Sequence, residues 1–121
     1  HTKGRTTVDE SLIVGSGIQG NSLNITNNIT GGGLIENIPR AFSSDLAAYI
    51  DLSAWDVLSI FNIIQAEGNI AEEEMYKVFN MGLGMIVICD KKMEDNVLSS
   101  ISGSFKIGYI SKRIGESQVI F

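Results

Sequence analysis

The chain has 121 residues, of which 44% are hydrophobic and 19% are charged, so we expect one globular domain with a single core. Its formal net charge is −5 with nine scattered Lys and Arg residues, which argues against nucleic acid as a partner because phosphate binding needs clustered basic residues. No apolar run approaches the roughly 20 residues of a membrane span, no secretory leader is recognisable, and one cysteine, Cys89, excludes an internal disulfide. We therefore expect a cytoplasmic protein with no membrane partner.

The beginning of the chain lacks a lasting helix or strand period. Glycines interrupt its apolar residues, so we interpret residues 1–24 as irregular or a weak helix. Residues 23–30 alternate apolar and polar positions and predict a short strand that leads into three glycines. We accordingly expect an irregular segment over residues 1–25 and the folded domain over residues 26–121.

The middle of the chain alternates predicted helices and strands. Residues 34–38 predict one or two helical turns that Pro39 limits, and residues 46–53 predict a strand. Residues 54–68 predict a helix that ends at Gly68 as C-cap. Four apolar residues of that helix recur at the spacing of a single buried face: Val57, Ile60, Phe61 and Ile64.

A second short helix is predicted over residues 69–79, with Asn69 as its N-cap. The three adjacent glutamates at positions 72–74 allow two interpretations. We favour a solvated run that compensates the helix dipole over a metal site, because neighbouring positions on a helix point in different directions and no histidine accompanies them. We therefore predict no metal ligands.

The last third of the chain begins with a continuous apolar run over residues 83–90, which predicts a strand covered on both faces and central in its sheet. Residues 91–102 predict a helix ended by Gly103. Residues 105–111 and 117–121 predict a terminal hairpin. The order of elements predicts an α+β fold, a layered domain with a mixed sheet.

Candidate site residues come first from the stretch NITGGGLIENIPR. Thr30 and the glycines at positions 31, 32 and 33 precede a predicted helix, and glycines at positive φ can turn successive N–H groups toward a phosphate. We expect Thr30 to add a hydroxyl donor and Arg40 a positive charge to this cradle, the alternative being that Arg40 is simply a surface residue. The alternative is that the glycines only make a turn, since a short glycine run is a weak signal on its own.

The second candidate stretch is MYKVFNMGLGM, in which Asn80, Gly82 and Gly84 lie between a predicted helix and the apolar strand. The alternative interpretation is again that these residues only reverse the chain. Catalysis by a histidine-based triad or a zinc site is excluded, because the one histidine is His1 at the terminus.

Three stretches carry a resemblance to a known family. NITGGGLIENIPRAF, EEEMYKVFNMGLGMIVI and FKIGYI, in that order, resemble the C-terminal domain of the phosphoribosylformylglycinamidine cyclo-ligases, also called aminoimidazole ribonucleotide (AIR) synthetases or the PurM family. The resemblance extends from about Thr26 to the C-terminus. It implies a PurM C-terminal-domain-like fold and an enzyme of purine biosynthesis that uses ATP and Mg²⁺ to close the imidazole ring of formylglycinamidine ribonucleotide.

The resemblance also implies roles for individual residues. Thr30, Gly31, Gly32 and Gly33 match the family's loop that faces the cleft between the two halves of the enzyme, where a nucleotide substrate binds. A second group would support this cleft: Asn37, Asn80, Gly82 and Gly84. No catalytic residue is assigned.

Family members are nearly three times as long, and the N-terminal ATP-binding half is absent from this sequence. We therefore expect the missing half as a partner, a possible homodimer, no tightly bound cofactor, and no activity of this chain alone. The alternatives are a stand-alone phosphate- or nucleotide-binding module without catalysis, and another ATP-dependent member of the same superfamily.

Overall fold

A computed structural model describes residues 33–121 together with the backbone of residues 10–14 and 25–29. These residues form one six-stranded sheet in the order β2-β4-β1-β5-β3-β6. The strands are β1 (Glu10–Val14), β2 (Ile25–Ile29), β3 (Leu46–Ile50), β4 (Met85–Asp90), β5 (Phe105–Lys112) and β6 (Val119–Ile120). The helices are α1 (Leu34–Asn37), α2 (Ser59–Gly68), α3 (Glu72–Val78) and α4 (Glu94–Ser100). The predicted α+β fold with a mixed sheet is confirmed, since β6 is parallel to β3 and the other paired strands are antiparallel.

The irregular or weakly helical interpretation of residues 1–24 is wrong at Glu10–Val14. This segment is the inner strand β1, and it pairs antiparallel with β4 on one side and with β5 on the other. The position of Leu12 lies opposite both Ile88 and Gly108. Hydrogen bonding from two neighbouring strands stabilises a segment whose own apolar run is too short to indicate a strand.

The apolar run near residue 85 forms β4, as predicted. β4 lies between β2 and β1, and its residues 86–89 are buried. Burial on both sheet faces explains why the run is continuously apolar rather than alternating. The predicted strand at residues 23–30 is also confirmed as β2.

The helix α1 occupies one turn and continues as a 3₁₀ turn over Ile38–Ala41 that contains Pro39, in agreement with the predicted limit. The strand predicted over residues 46–53 is shorter, because Asp51 accepts a hydrogen bond from the Ser53 N–H at 2.9 Å and caps a 3₁₀ turn. A side-chain oxygen that satisfies a nearby backbone N–H competes with continuation of the strand.

The helix α2 begins at Ser59, later than the sequence predicted, and none of its residues is fully buried. Phe61 and Ile64 pack against the core, whereas Ile60 is 52% exposed, so its assignment to the buried face is wrong. Asn69 adopts the left-handed conformation with φ 49° directly after α2. Asn69 therefore ends α2, in place of the predicted cap at Gly68.

The helix α3 is preceded by Ala71 as N-cap, without a side-chain hydrogen bond, which corrects the prediction that Asn69 caps it. The three glutamates do lie in its first turn, where they compensate the dipole. A 3₁₀ turn over Lys91–Met93 precedes α4, and Gly103 follows α4 with φ 80°.

The predicted terminal hairpin is wrong, because β6 pairs with β3 and not with β5. The guanidinium of Arg113 holds the connecting segment by donating to the carbonyl oxygens of Ser44, Gly115 and Glu116. These bonds turn the chain across the end of β3, so that β6 extends the sheet on the far side of β3.

Among residues 33–121, two groups of buried residues cover the sheet. The larger joins α1 and α3 to the core-facing residues of β3, β4 and β5, and α2 packs against it through half-buried side chains. The smaller joins Val97 of α4 to Val87 and Cys89 on the opposite face of β4. Within residues 33–121 no helix has the length and apolar character required to cross a bilayer.

Candidate functional site

The first candidate stretch is described only from Gly33 onward, because Thr30, Gly31 and Gly32 lie outside the described residues. Gly33 is buried and precedes α1 with φ 102° and ψ 156°. This backbone conformation is almost exclusive to glycine. The structure therefore requires glycine at this position whether or not a ligand is bound.

Close approach of another segment gives a second reason for glycine. A Cβ atom on Gly33 would lie 2.0 Å from the carbonyl oxygen of Lys77 and 2.9 Å from that of Tyr76. Both carbonyls belong to the last turn of α3, the end of a helix that carries partial negative charge. The side of Gly33 that faces α3 is thus filled and repels an anion, so a phosphate can approach Gly33 only from the opposite side.

Asn37 fixes the geometry of the same bend. Its side chain is 9% exposed, and Nδ2 donates to the Gly33 carbonyl oxygen at 2.8 Å. Arg40 is exposed in the 3₁₀ turn that follows. Because α1 is only four residues long, its dipole adds little to an anion cradle here.

The second candidate stretch forms a tight turn between α3 and β4. The Asn80 carbonyl oxygen accepts from the Leu83 N–H at 3.0 Å, and Asn80 Oδ1 accepts from the Gly82 N–H at 2.8 Å. Both central residues have positive φ, 54° at Met81 and 95° at Gly82, as in type I′ turns. Gly84 is exposed, and a Cβ atom there would have no neighbour within 4 Å.

The two candidate stretches meet at the C-terminal end of α3. Gly33 packs against the carbonyl of Lys77 near that end, and the turn that begins at Asn80 follows α3 after a single residue, Phe79. Trp55 also reaches this turn, since its Nε1–H donates to the Met81 carbonyl oxygen at 3.2 Å. The sequence alone could not bring the two motifs together, because their contact depends on the position of α3.

Elsewhere on the described residues lie two surface cavities whose linings contain none of the predicted site residues. One, of about 460 Å³, lies beside Tyr49 and Tyr109, whose rings stack at 5.1 Å between centroids. The other, of about 510 Å³, lies between α1, α3 and the C-terminus. Sequence reasoning missed the tyrosine pair, because only the pairing of β3 with β5 places Tyr49 opposite Tyr109.

The second cavity is acidic, with Glu72, Glu73 and Glu116 in its lining beside Tyr76. Burial raises the pKa of the Tyr76 hydroxyl, and the negative charge of Glu72 raises it further. In the part of the chain that the structure describes, no three acidic, histidine or cysteine side chains come together as a metal site.

Comparison with known proteins agrees with the fold and with both motif stretches. The family model for the AIR synthase related protein, C-terminal domain, matches residues 5–118, and so also covers most of the segment that the motifs leave unmatched. A phosphoribosylformylglycinamidine cyclo-ligase of Enterococcus faecalis is 51% identical over 85 residues, which are 70% of this chain and 25% of that protein. The enzyme of the same name from Thermoanaerobacter sp. is 46% identical over 90 residues, 74% of this chain and 27% of the relative.

A third relative of that name, from Ligilactobacillus salivarius, is 39% identical over 107 residues, 85% of this chain and 31% of its own length. The matched region is thus between 25% and 31% of these three relatives. With a family model that matches nearly its whole length, and with an α+β fold and a mixed sheet, the chain belongs to the family of AIR synthase related protein C-terminal domains.

Proposed function

We propose that this chain is the C-terminal part of an ATP-dependent cyclo-ligase of purine biosynthesis, which converts formylglycinamidine ribonucleotide to AIR with release of ADP and phosphate. The observation that carries the proposal is the 51% identity over 85 residues to a protein with the cyclo-ligase name. The family model, which matches residues 5–118, covers both candidate stretches.

The reaction defines what the protein must do. An amide oxygen is a poor leaving group until it is phosphorylated, and ATP supplies that phosphoryl group. An amidine nitrogen of the same substrate then attacks the activated carbon, and phosphate leaves as the ring closes. The enzyme must therefore hold two phosphate-bearing ligands in line and keep water away from them.

In this proposal the chain supplies one wall of the substrate cleft. Main-chain amides at residues 30–32 bind the phosphate of the nucleotide substrate, and Arg40 adds a positive charge. Gly33, which packs against α3, and Asn37, which donates to the Gly33 carbonyl oxygen, fix the shape of the bend. This assignment is supported by the position of the bend, because Gly33 packs against the last turn of α3 and the turn at Asn80 follows the same end of that helix. Two motifs distant in sequence then shape a single edge of the domain.

ATP and Mg²⁺ are assigned to the part of the enzyme outside this chain. Residues 33–121 offer no group of three carboxylate, histidine or cysteine ligands, and hard cations such as Mg²⁺ bind through carboxylates and phosphate oxygens. We therefore name no metal ligand in this chain and derive no step through the metal.

The test is a chimera in which this chain replaces the matched region of the Enterococcus relative. We expect the chimera to form AIR from formylglycinamidine ribonucleotide and ATP, and the chain alone to form none. Lack of turnover by a chimera that folds would contradict the proposed reaction. Turnover by the isolated chain would contradict the division of labour between the two parts.

The loop is tested separately in the same chimera by Gly32→Ala, with Gly115→Ala as a matched control at which an added Cβ meets no atom within 4 Å. Alanine keeps the main-chain N–H, but its methyl group would hold a phosphate away from it. If amides near Gly32 bind the substrate phosphate, we therefore expect the KM for the nucleotide to rise by about tenfold or more, since charge-assisted hydrogen bonds are worth about 1.5–3 kcal/mol. An unchanged KM would remove the loop from the binding site and leave the reaction assignment in place.

A further inference from the structure

The helix α2 carries apolar side chains on the side that faces away from the core. Phe61 and Ile64 pack inward, whereas Ile60 is 52% exposed and Ile63 is 56% exposed. Leu58, directly before the helix, is 60% exposed. We call Leu58, Ile60 and Ile63 the outer surface of α2.

This surface is unusual in its composition. Glu67 is the one charged residue in the ten residues of α2, although an exposed helix face is normally rich in charge. Single exposed apolar residues are common, but Ile60 and Ile63 are neighbours at helical spacing. Contiguous apolar exposure of this kind marks a surface that contacts another protein segment.

The outer surface of α2 adjoins the candidate cleft. A Cβ atom on Gly82 would lie 4.0 Å from Leu58 Cγ, and the rings of Phe61 and Phe79 lie 5.8 Å apart. Leu58 thus borders the turn at Gly82, and the inward side of α2 packs on Phe79 at the end of α3. The outer surface of α2 lies on the same edge of the domain as the proposed wall of the nucleotide cleft.

The partner that would cover this surface is indicated by the small share of each relative that the chain matches. The matched regions are 25% to 31% of the three relatives, so most of the polypeptide in such an enzyme lies outside this domain. We propose that the outer surface of α2 docks the remaining, ATP-binding part of the same enzyme, beside the cleft. This inference rests on the proposed function, because it takes the absent part of the relatives as the partner.

The test compares backbone hydrogen exchange in two molecules, the isolated chain and the chimera with the Enterococcus relative. We expect exchange over residues 58–68 to slow by about tenfold or more in the chimera, since amides of a buried helix open less often. The variant Ile63→Glu should leave the isolated chain folded. In the chimera it should restore fast exchange over residues 58–68 or prevent folding of the joined protein.

The control is Ile114→Glu, at a side chain that is 88% exposed and outside the defined surface. It should alter neither exchange nor folding in either molecule. If the chimera does not fold, glutamate is introduced into the intact Enterococcus enzyme at the position aligned with Ile63. We expect this change to lower the unfolding temperature of that enzyme.

Three results would overturn the docking surface. These are unchanged exchange over residues 58–68 in a folded chimera, equal effects of Ile63→Glu and Ile114→Glu, and a dimer of the isolated chain that Ile63→Glu dissociates while the chimera shows no protection. Turnover with unchanged exchange would refute docking and keep the proposed function. Protection without turnover would keep docking and refute the proposed reaction.

Discussion

Gly33 provides the sharpest test of how the glycine bend is held. In Gly33→Ala, an alanine must adopt φ 102° and ψ 156°, which costs about 1–3 kcal/mol for a residue other than glycine. The new methyl carbon also lies 2.0 Å from the carbonyl oxygen of Lys77 and 2.4 Å from its carbonyl carbon. Relief of this overlap requires α1 and α3 to separate, and overpacking of this kind costs about 1–3 kcal/mol.

We therefore expect Gly33→Ala to lower the free energy of unfolding by about 3 kcal/mol or more, a large part of the roughly 5–15 kcal/mol of an ordinary domain. The assay is urea unfolding followed by circular dichroism, with the slope m checked for a change in the denatured state. Gly103→Ala is the matched control, because Gly103 also has positive φ, 80°, but a Cβ atom there meets nothing within 4 Å. Its cost should be about 1–2 kcal/mol.

The reasoning is refuted if Gly33→Ala loses no more stability than Gly103→Ala. That result would mean that the contact with Lys77 is absent or easily relaxed. A Gly33→Ala variant that cannot be obtained folded agrees with the expected loss, provided that Gly103→Ala folds. A loss of ligand binding in Gly33→Ala would not by itself assign Gly33 to a phosphate site, because the fold is affected first.

Asn37→Ala should lower the free energy of unfolding by about 1–3 kcal/mol, because it leaves the buried Gly33 carbonyl without the side-chain donor at 2.8 Å. Asn62→Ala, at an exposed position of α2, should change it by about 0.5 kcal/mol or less, and equal losses would contradict a structural role for Asn37. The Ser53 hydroxyl and N–H hold the pKa of Asp51 below its ordinary value, so the resulting stabilisation is present above that ordinary value and is lost as pH falls through the lowered one. Ser53→Ala should raise the pKa of Asp51 in a carbon NMR titration, and an unchanged pKa would refute the assigned cause.

Several elements could be predicted from sequence because their signal is local. The run at β4 is apolar at consecutive positions, a pattern typical of a strand covered on both faces. Pro39 has a fixed φ and no N–H wherever it occurs, so the limit on α1 followed from residue type. The family resemblance depended on the residues of three stretches, two of them glycine motifs, and the family model that matches residues 5–118 confirms it.

Other features depended on partners distant in the chain. The strand β1 exists because β4 and β5 pair with it on both sides, and β6 joins β3 because Arg113 turns the connecting segment across the strand end. The apolar spacing in α2 was visible, but which of its residues face the core was not, since Ile60 points away from the core while Phe61 packs on it.

The glycine bend shows the same division at the candidate site. Sequence alone determined that flexible backbone precedes a short helix and that a second glycine motif precedes the central strand. Only the tertiary structure decided that Gly33 lies against the last turn of α3 and that the turn at Asn80 follows the same end. The physical reason is that conformational preference belongs to a residue and its chain neighbours, whereas close approach belongs to two segments that the packing of the core brings together.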